Sequence, residues 1–252
     1  MLDNIPVHNY SCYANKTLQW VGTDLHSRLI EIQSDSELHQ KWADSGWSTD
    51  TVIEYKFNEH GFRTDQFDQS LRVGVFGSSP TVGVGLHYYQ TWVHHFSNML
   101  NVPVWNLSTG TGSFDTFYRM IKYYINYLNI GAVILATCEL DKFEIWNGDR
   151  SVITINGRTH ASPKIQNISD LWYSHDNNKL INGEKNLEAI RYICGQFDIP
   201  IIIFNLADAN KYTPVEPVDW SRCVCHVGPK YHKAVANFVV DRYWSTVNTP
   251  WH

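Results

Sequence analysis

Two serines, Ser78 and Ser79, stand in the run GSSPTVGVG (Gly77 to Gly85), directly after the apolar run LRVGVF, Leu71 to Phe76. A serine where a strand ends and a helix begins exposes its hydroxyl, and helix N-terminal amides favour negative charge developing beside it. Ser79 is the better placed of the two to act as a nucleophile. The other reading of the motif is a helix N-cap or a phosphate-type loop without catalysis. Far along the chain, CVCHVGPKYHKAVANFV (Cys223 to Val239) sets His226 just before a Gly-Pro turn and a helical pattern. A histidine there can face the end of the first strand, and Ser79 with His226 would form a nucleophile and a general base. Taken alone, His226 reads as a structural or surface residue and His232 as a helix-face residue. Metal binding is the rival chemistry, because Cys223, Cys225, His226 and His232 cluster within ten residues. Their spacing fits no common zinc pattern, and no second cysteine pair completes four ligands, so neither a metal nor a cofactor is expected.

These residues need a scaffold, and the apolar spacing supplies one. Leu71 to Phe76 is a short β-branched run that stops at Gly77, as a buried strand should. Leu86, Tyr89, Val93, Phe96 and Leu100 recur every three or four residues, which predicts a helix, and Val102 to Leu107 reads as the next strand. A helix carrying Phe114, Phe117, Ile121, Tyr124 and Leu128 precedes the strand Ala132 to Ala136. Another, with Leu187, Ile190, Cys194 and Phe197, precedes the strand Ile199 to Phe204, and a last helix buries Tyr231, Ala234, Val235, Phe238 and Val239. Strands alternating with helices predict an α/β fold, a three-layer sandwich with a mostly parallel central sheet covered on both faces. Residues 1–70 read as an N-terminal extension packed on a core of residues 71–252. Asn147 to Gly183 reads as a short hairpin (Ser151 to Arg158) and a long excursion.

The composition sets further bounds. With 25 acidic and 20 basic residues in 252, the formal charge is −5, and there is no basic excess to neutralise a phosphate backbone, which argues against nucleic-acid binding. No apolar run approaches the roughly 18 to 20 residues needed to cross a bilayer, and no secretory signal is recognisable. Five cysteines, Cys12, Cys138, Cys194, Cys223 and Cys225, form an odd count without framework spacing and read as reduced thiols of a cytoplasmic protein. The ten tryptophans suit sugar stacking, and they suit ordinary packing too.

In these motifs the chain resembles the SGNH hydrolases, also called the GDSL esterase and lipase superfamily. The family's first block, GDSxTxGxG, is matched at Gly77, Ser79, Thr81, Gly83 and Gly85, and EYKFNEHGFRT (Glu54 to Thr64) is similar to the Asn-x-x-Gly-Phe-Arg approach before the nucleophile strand. The resemblance covers about residues 54–243 and is closest to versions encoded by tailed phages. It implies a flavodoxin-like sheet, a catalytic Ser79 and His226, and an oxyanion hole built from the backbone N–H of Ser79 and a glycine of NLSTGTGSFDT, Gly110 before its neighbours Thr111 and Gly112.

Three positions depart from the family pattern. Ser78 replaces the aspartate beside the nucleophile. Cys138 replaces the asparagine that donates to the oxyanion, and a thiol is a weak donor. Cys223 replaces the aspartate that orients the histidine, and a cysteine serves as an anionic orienter only as a thiolate; neither Asp219 nor Asp208 is in the family's position. Lys142, in DKFE (Asp141 to Glu144), stands in the place of an arginine of the phage-type members. The resemblance implies hydrolysis of an O-acyl ester, carbohydrate O-acetyl groups among the candidates, with a small-molecule or carbohydrate substrate, no membrane partner and a cytoplasmic or virion-associated location. The alternative is a catalytically degenerate SGNH-fold module that binds a glycan or assembles into a virus particle.

Overall fold

The computed structural model describes residues 7–137, 142–146, 152–155, 163–206 and 218–247. Ahead of the central sheet come β1 (Thr17–Leu18), α1 (His26–Ser34), α2 (Ser36–Asp44) and β2 (Tyr55–Lys56), with β1 and β2 paired antiparallel. The sheet opens with β3 (Arg72–Gly77). A single helical turn, α3 (Ser79–Val82), leads through a 3₁₀ turn (Tyr88–Gln90) to α4 (Trp92–Leu100) and then β4 (Val104–Asn106). There follow α5 (Phe114–Tyr127), β5 (Ile130–Thr137), β6 (Phe143–Trp146), β7 (Val152–Ile155), α6 (Pro163–Tyr173), α7 (Asp176–Gln196), β8 (Ile201–Asn205) and α8 (Pro229–Thr246).

The four-stranded sheet runs β4-β3-β5-β8, and every pairing is parallel. Side chains alternate across it as strand geometry demands. Val73, Val75, Ala132, Ile134, Ala136, Ile202 and Phe204 face one way, onto α4 and α8 through Trp92, Phe96, Val235 and Val239. Phe76, Trp105, Val133 and Leu135 face the other way, onto α5 and α7 through Phe117, Ile121, Tyr124 and Ile190. Helices on both faces make the three-layer α/β sandwich that the alternation predicts. In such a sheet the chain order reverses beside β3, and the crevice beyond the carboxyl ends of the strands there is where this topology places its sites.

A third apolar cluster ties the N-terminal segment to this core: Tyr10, Val21, Ile32, Trp42, Ile53 and Tyr55 pack with Val82, Val84, Leu86, Cys223 and Val224.

Several elements differ from the sequence expectation. The helix predicted from Leu86 starts at Trp92, because the Thr91 side chain accepts from the His94 N–H and caps it there, and Tyr89 is exposed. Of the hairpin expected inside Ser151 to Arg158, the described part is β7, which pairs with β6, and Ser151 and residues 156–158 lie outside the described residues. The excursion expected up to Gly183 contains α6 and the first turns of α7, with Ile165, Ile168 and Trp172 packed on Phe143 of the hairpin. Phe197 lies beyond the end of α7 and is exposed. Among the described residues no helix is long and apolar enough to cross a membrane.

Candidate active site

The turn after β3 is shaped by what glycine leaves out. A Cβ on Gly77 would lie 2.3 Å from Thr81 Oγ1, so the chain can fold back over Gly77 and let Ser79 open α3. The Ser78 carbonyl accepts from the Thr81 and Val82 N–H groups at 2.8 and 3.1 Å. Gly83 and Gly85 then take left-handed conformations, φ 76° and 80°, which a side chain would strain.

Arg63, the arginine of NEHGFR, fixes the outside of this turn. Its guanidinium is buried and donates to the carbonyls of Val82 (3.2 Å), Gly83 (2.8 Å), Leu86 (2.9 Å) and Glu54 (3.2 Å). Asn58 of the same motif accepts from the His60 and Phe62 N–H groups, which turns the chain so that Arg63 enters the core.

The histidine arrives from the other end of the chain. Gly85 lacks the side chain that would collide with Ser221, and its carbonyl accepts from the Arg222 N–H at 2.8 Å. Arg222 is anchored by Asp24, which accepts from Nε at 3.0 Å and Nη2 at 2.6 Å; Asp24 also accepts from the Tyr55 hydroxyl, whose oxygen accepts from the Gly85 N–H. Asp219, weighed above as an orienter, instead caps α8 through the Lys230 and Tyr231 N–H groups. Asp208 lies outside the described residues.

These anchors set His226 Nε2 at 2.8 Å from Ser79 Oγ, with both residues half-buried. On the far side of the ring, Nδ1 lies 3.4 Å from Cys223 Sγ and 3.4 Å from Thr23 Oγ1. The tautomer follows from which of these atoms accepts. If Nδ1 carries the proton and donates backwards, Nε2 is free to accept from Ser79, which is the arrangement a general base requires.

Cys223 has the surroundings of an anion. It is 1% exposed, with Ser221 Oγ at 3.2 Å and Thr23 Oγ1 at 3.6 Å from its sulfur. Its thiol is held well below the usual range, chiefly by the neighbouring Cys225 thiol and then by His226 and Ser221, and these outweigh the opposing effect of burial. The Cys225 thiol is raised in turn by Cys223.

Among the described residues, nothing accepts from the N–H groups of Ser79 and Gly110. Gly110 is buried, and a Cβ on it would lie 2.5 Å from the Tyr10 ring; its carbonyl accepts from Asn9 Nδ2 at 3.1 Å. Thr111 is exposed with φ 53°, and Gly112 is buried beside Phe117. His8 braces the loop from below, with Nε2 at 3.0 Å from the His60 carbonyl and Nδ1 at 3.1 Å from Thr109 Oγ1. Cys138 lies outside the described residues.

The members of the suspected metal cluster are committed to different partners. His232 is buried and its Nδ1 accepts from the Trp92 N–H at 3.0 Å, so it caps α4. Among the described residues no group of three or more His, Cys, Asp or Glu is arranged to hold a metal ion. Glu144, from DKFE, is bound by Arg119 at 2.6 and 3.0 Å and by Thr116, which joins the β6-β7 hairpin to α5. Lys142 is half-buried.

Thr23, Asp24 and Arg222 were not signalled by any motif; only the packing of residues 7–63 around the histidine loop reveals them. A cavity of about 440 Å³, lined by Gly22, Thr23, Leu25, Ser27, Arg28, Glu31 and Cys225, lies beside them. Comparison with known families finds no family model that matches the chain, and comparison with curated proteins finds no relative.

Proposed function

We propose that the chain is an SGNH-like serine esterase that hydrolyses O-acyl esters, with carbohydrate O-acetyl groups as the favoured substrates. The observation that carries this reading is the 2.8 Å contact between Ser79 Oγ and His226 Nε2, at the carboxyl end of a parallel strand. Ser79 Oγ attacks the ester carbonyl carbon while Nε2 takes its proton. The oxyanion so formed is held by the N–H groups of Ser79 and Gly110. Collapse of the intermediate expels the alcohol, which leaves with the proton held on Nε2, and a water activated by the same nitrogen releases the acid and restores Ser79. Cys223, as a thiolate, takes the orienting role that aspartate has in the serine-protease triad and stabilises the imidazolium formed at each proton transfer. No cofactor enters this sequence.

The test is hydrolysis of p-nitrophenyl acetate and of an acetylated polysaccharide by the wild-type chain, beside Ser79→Ala and His226→Ala. Buffer-corrected turnover abolished by both substitutions supports the reading. Activity indifferent to Ser79→Ala removes the nucleophile. No turnover from folded protein favours the second reading, a glycan-binding or virion-associated module on the same fold, to which the cysteine in place of the orienting aspartate points.

A further inference from the structure

A cavity of about 510 Å³, the size of a small-molecule site, opens between α5, α7 and the hairpin strand β6. Its aromatic wall is held rigidly. Trp146 of β6 is 45% exposed, and the Arg119 guanidinium carbon lies 5.3 Å from its ring centroid. Arg119 is itself fixed, donating to Glu144 at 2.6 and 3.0 Å and to the Val7 carbonyl at 2.9 Å. The indole is thus braced by a pinned cation and still open to solvent. Tyr118 of α5, half-buried, adds a second ring to the lining.

The polar groups divide into engaged and open ones. Both carboxylates are engaged: Glu144 by Arg119 and Thr116, and Asp115 by the Glu144 N–H at 3.1 Å, Asn182 Nδ2 at 3.2 Å and Asn186 Nδ2 at 2.9 Å. Asn186 is only 4% exposed and lines the cavity, yet among the described residues nothing donates to its Oδ1. Its Nδ2 bonds to Asp115 and to the Asn182 carbonyl fix the amide, so Oδ1 is an acceptor held ready for an incoming O–H or N–H. Open donors lie around it. The Tyr118 hydroxyl accepts from Lys122 at 3.4 Å and keeps its own proton to give, and Lys185 Nζ, bonded to Asn182 Oδ1 at 2.9 Å, has two N–H groups left. The Trp146 indole N–H has no acceptor among the described residues. Across the lining Arg119 and Lys185 offset Asp115 and Glu144, which leaves no surplus of either sign to hold a phosphate, a carboxylate or a cation.

We propose that this cavity binds a neutral saccharide, with a pyranose ring laid on Trp146, one hydroxyl donating to Asn186 Oδ1 and others accepting from Tyr118 and Lys185. A sugar ring pairs apolar C–H faces with hydroxyls that both donate and accept, which is the complement of a braced indole among open donors and one open acceptor. The site also has a structural link to Gly110: the Gly110 loop runs directly into α5, and Asn9 Nδ2 bonds both the Gly110 carbonyl at 3.1 Å and Thr154 Oγ1 of the hairpin at 3.3 Å. Binding at Trp146 stands apart from the esterase reading.

The experiment titrates cellohexaose, maltohexaose and N-acetylchitohexaose into the full chain carrying Ser79→Ala, so that turnover cannot intrude. Calorimetry gives the affinity, and NMR of the isotope-labelled indole N–H groups gives the place. Of the ten tryptophans, Trp146 is identified as the resonance missing from Trp146→Phe. The expected result is a saturable shift of that resonance with at least one of the three sugars. Trp146→Ala, checked for folding by circular dichroism, should weaken binding by at least about 10-fold, and Trp146→Phe should recover most of the loss. Hexagalacturonate and adenosine monophosphate, as anionic ring ligands, should bind more weakly than the best neutral sugar. A Trp146 resonance that none of the three sugars moves overturns the proposal, as does undiminished affinity in folded Trp146→Ala. Tighter binding of either anion overturns the choice of a neutral ligand. Sugar bound at Trp146 in a protein whose wild-type form hydrolyses no ester leaves the site standing and removes the esterase reading; ester hydrolysis without bound sugar gives the reverse.

Discussion

Replacing Cys223 by alanine tests whether a thiolate can stand where a carboxylate would orient the base. On the esterase reading His226 would become positively charged in the transition state, and its Nδ1 lies 3.4 Å from Cys223 Sγ. Taking the charge centroids as about 4 Å apart, at the effective dielectric of about 20 typical of such sites, the attraction is roughly 4 kcal/mol. Thr23 Oγ1, also 3.4 Å from Nδ1, accepts the proton when the sulfur is gone, and a neutral hydrogen bond returns about 1 kcal/mol. The net loss of about 3 kcal/mol corresponds to a fall in kcat of roughly 100-fold, less than the roughly 10⁴-fold seen when a serine-protease aspartate becomes asparagine. Cys223→Ser should fall nearly as far, because a hydroxyl brings no charge and can donate to Nδ1, which favours the wrong tautomer. Cys223→Asp restores an anion and should recover most of the lost rate. The assay is kcat on p-nitrophenyl acetate for all three variants against Ser79→Ala as background. A folded Cys223→Ala enzyme within about twofold of wild type would refute the assignment of Cys223 as the orienting anion.

Other substitutions probe the scaffold. Gly85→Ala places a Cβ 2.8 Å from the Ser221 side chain at φ 80°; it should destabilise the fold by about 1–2 kcal/mol and lower kcat further than the stability loss explains, as thermal melts beside turnover would show. Asp24→Ala strands the buried Arg222 guanidinium and should cost about 3–5 kcal/mol in urea unfolding, whereas replacing both partners by apolar residues should cost much less. Burial pushes His8 and His232 down from 6.5 to about 3, so below pH 6.5 the unfolded chain binds protons that the folded one refuses. Above that pH both states are neutral and these residues cost nothing; as pH falls toward 3 the penalty grows, and at pH 5 each should cost about 2 kcal/mol relative to pH 7. Denaturant midpoints that do not move between these pH values would contradict the burial of neutral imidazoles.

The layer architecture was legible because its signal is local. Val73, Val75 and Phe76 belong to a short apolar run buried on both faces, as a central parallel strand is, and Phe114 through Tyr124 repeat at helix period, so each run declares its own kind of element. Ser79 and His226 were legible for a different reason: each sits beside glycine or proline punctuation that marks where an element must begin. What the sequence did not disclose depends on pairing between distant residues. The partner of β7 is β6, and no periodicity in either strand names the other. Likewise Thr23 follows an unremarkable glycine, and nothing in its neighbours indicates that it meets a ring 203 residues away. His232 was legible as part of a helix, yet its bond to the Trp92 N–H depends on how α8 lies against α4.

The anchoring of the histidine loop by Asp24 has a consequence for how the chain is made. Arg222 lies 198 residues from Asp24, and His226 lies 147 from Ser79, so both contacts close only when the last strand and the final loop are available. Contacts of such long separation form late, because their loop entropy must be overcome before they contribute. During synthesis from the N-terminus, Ser79 emerges well before the residue that would take its proton. On the esterase reading, a nascent chain would carry Ser79 without its base, and docking of the segment that holds His226 would be the step that completes the site.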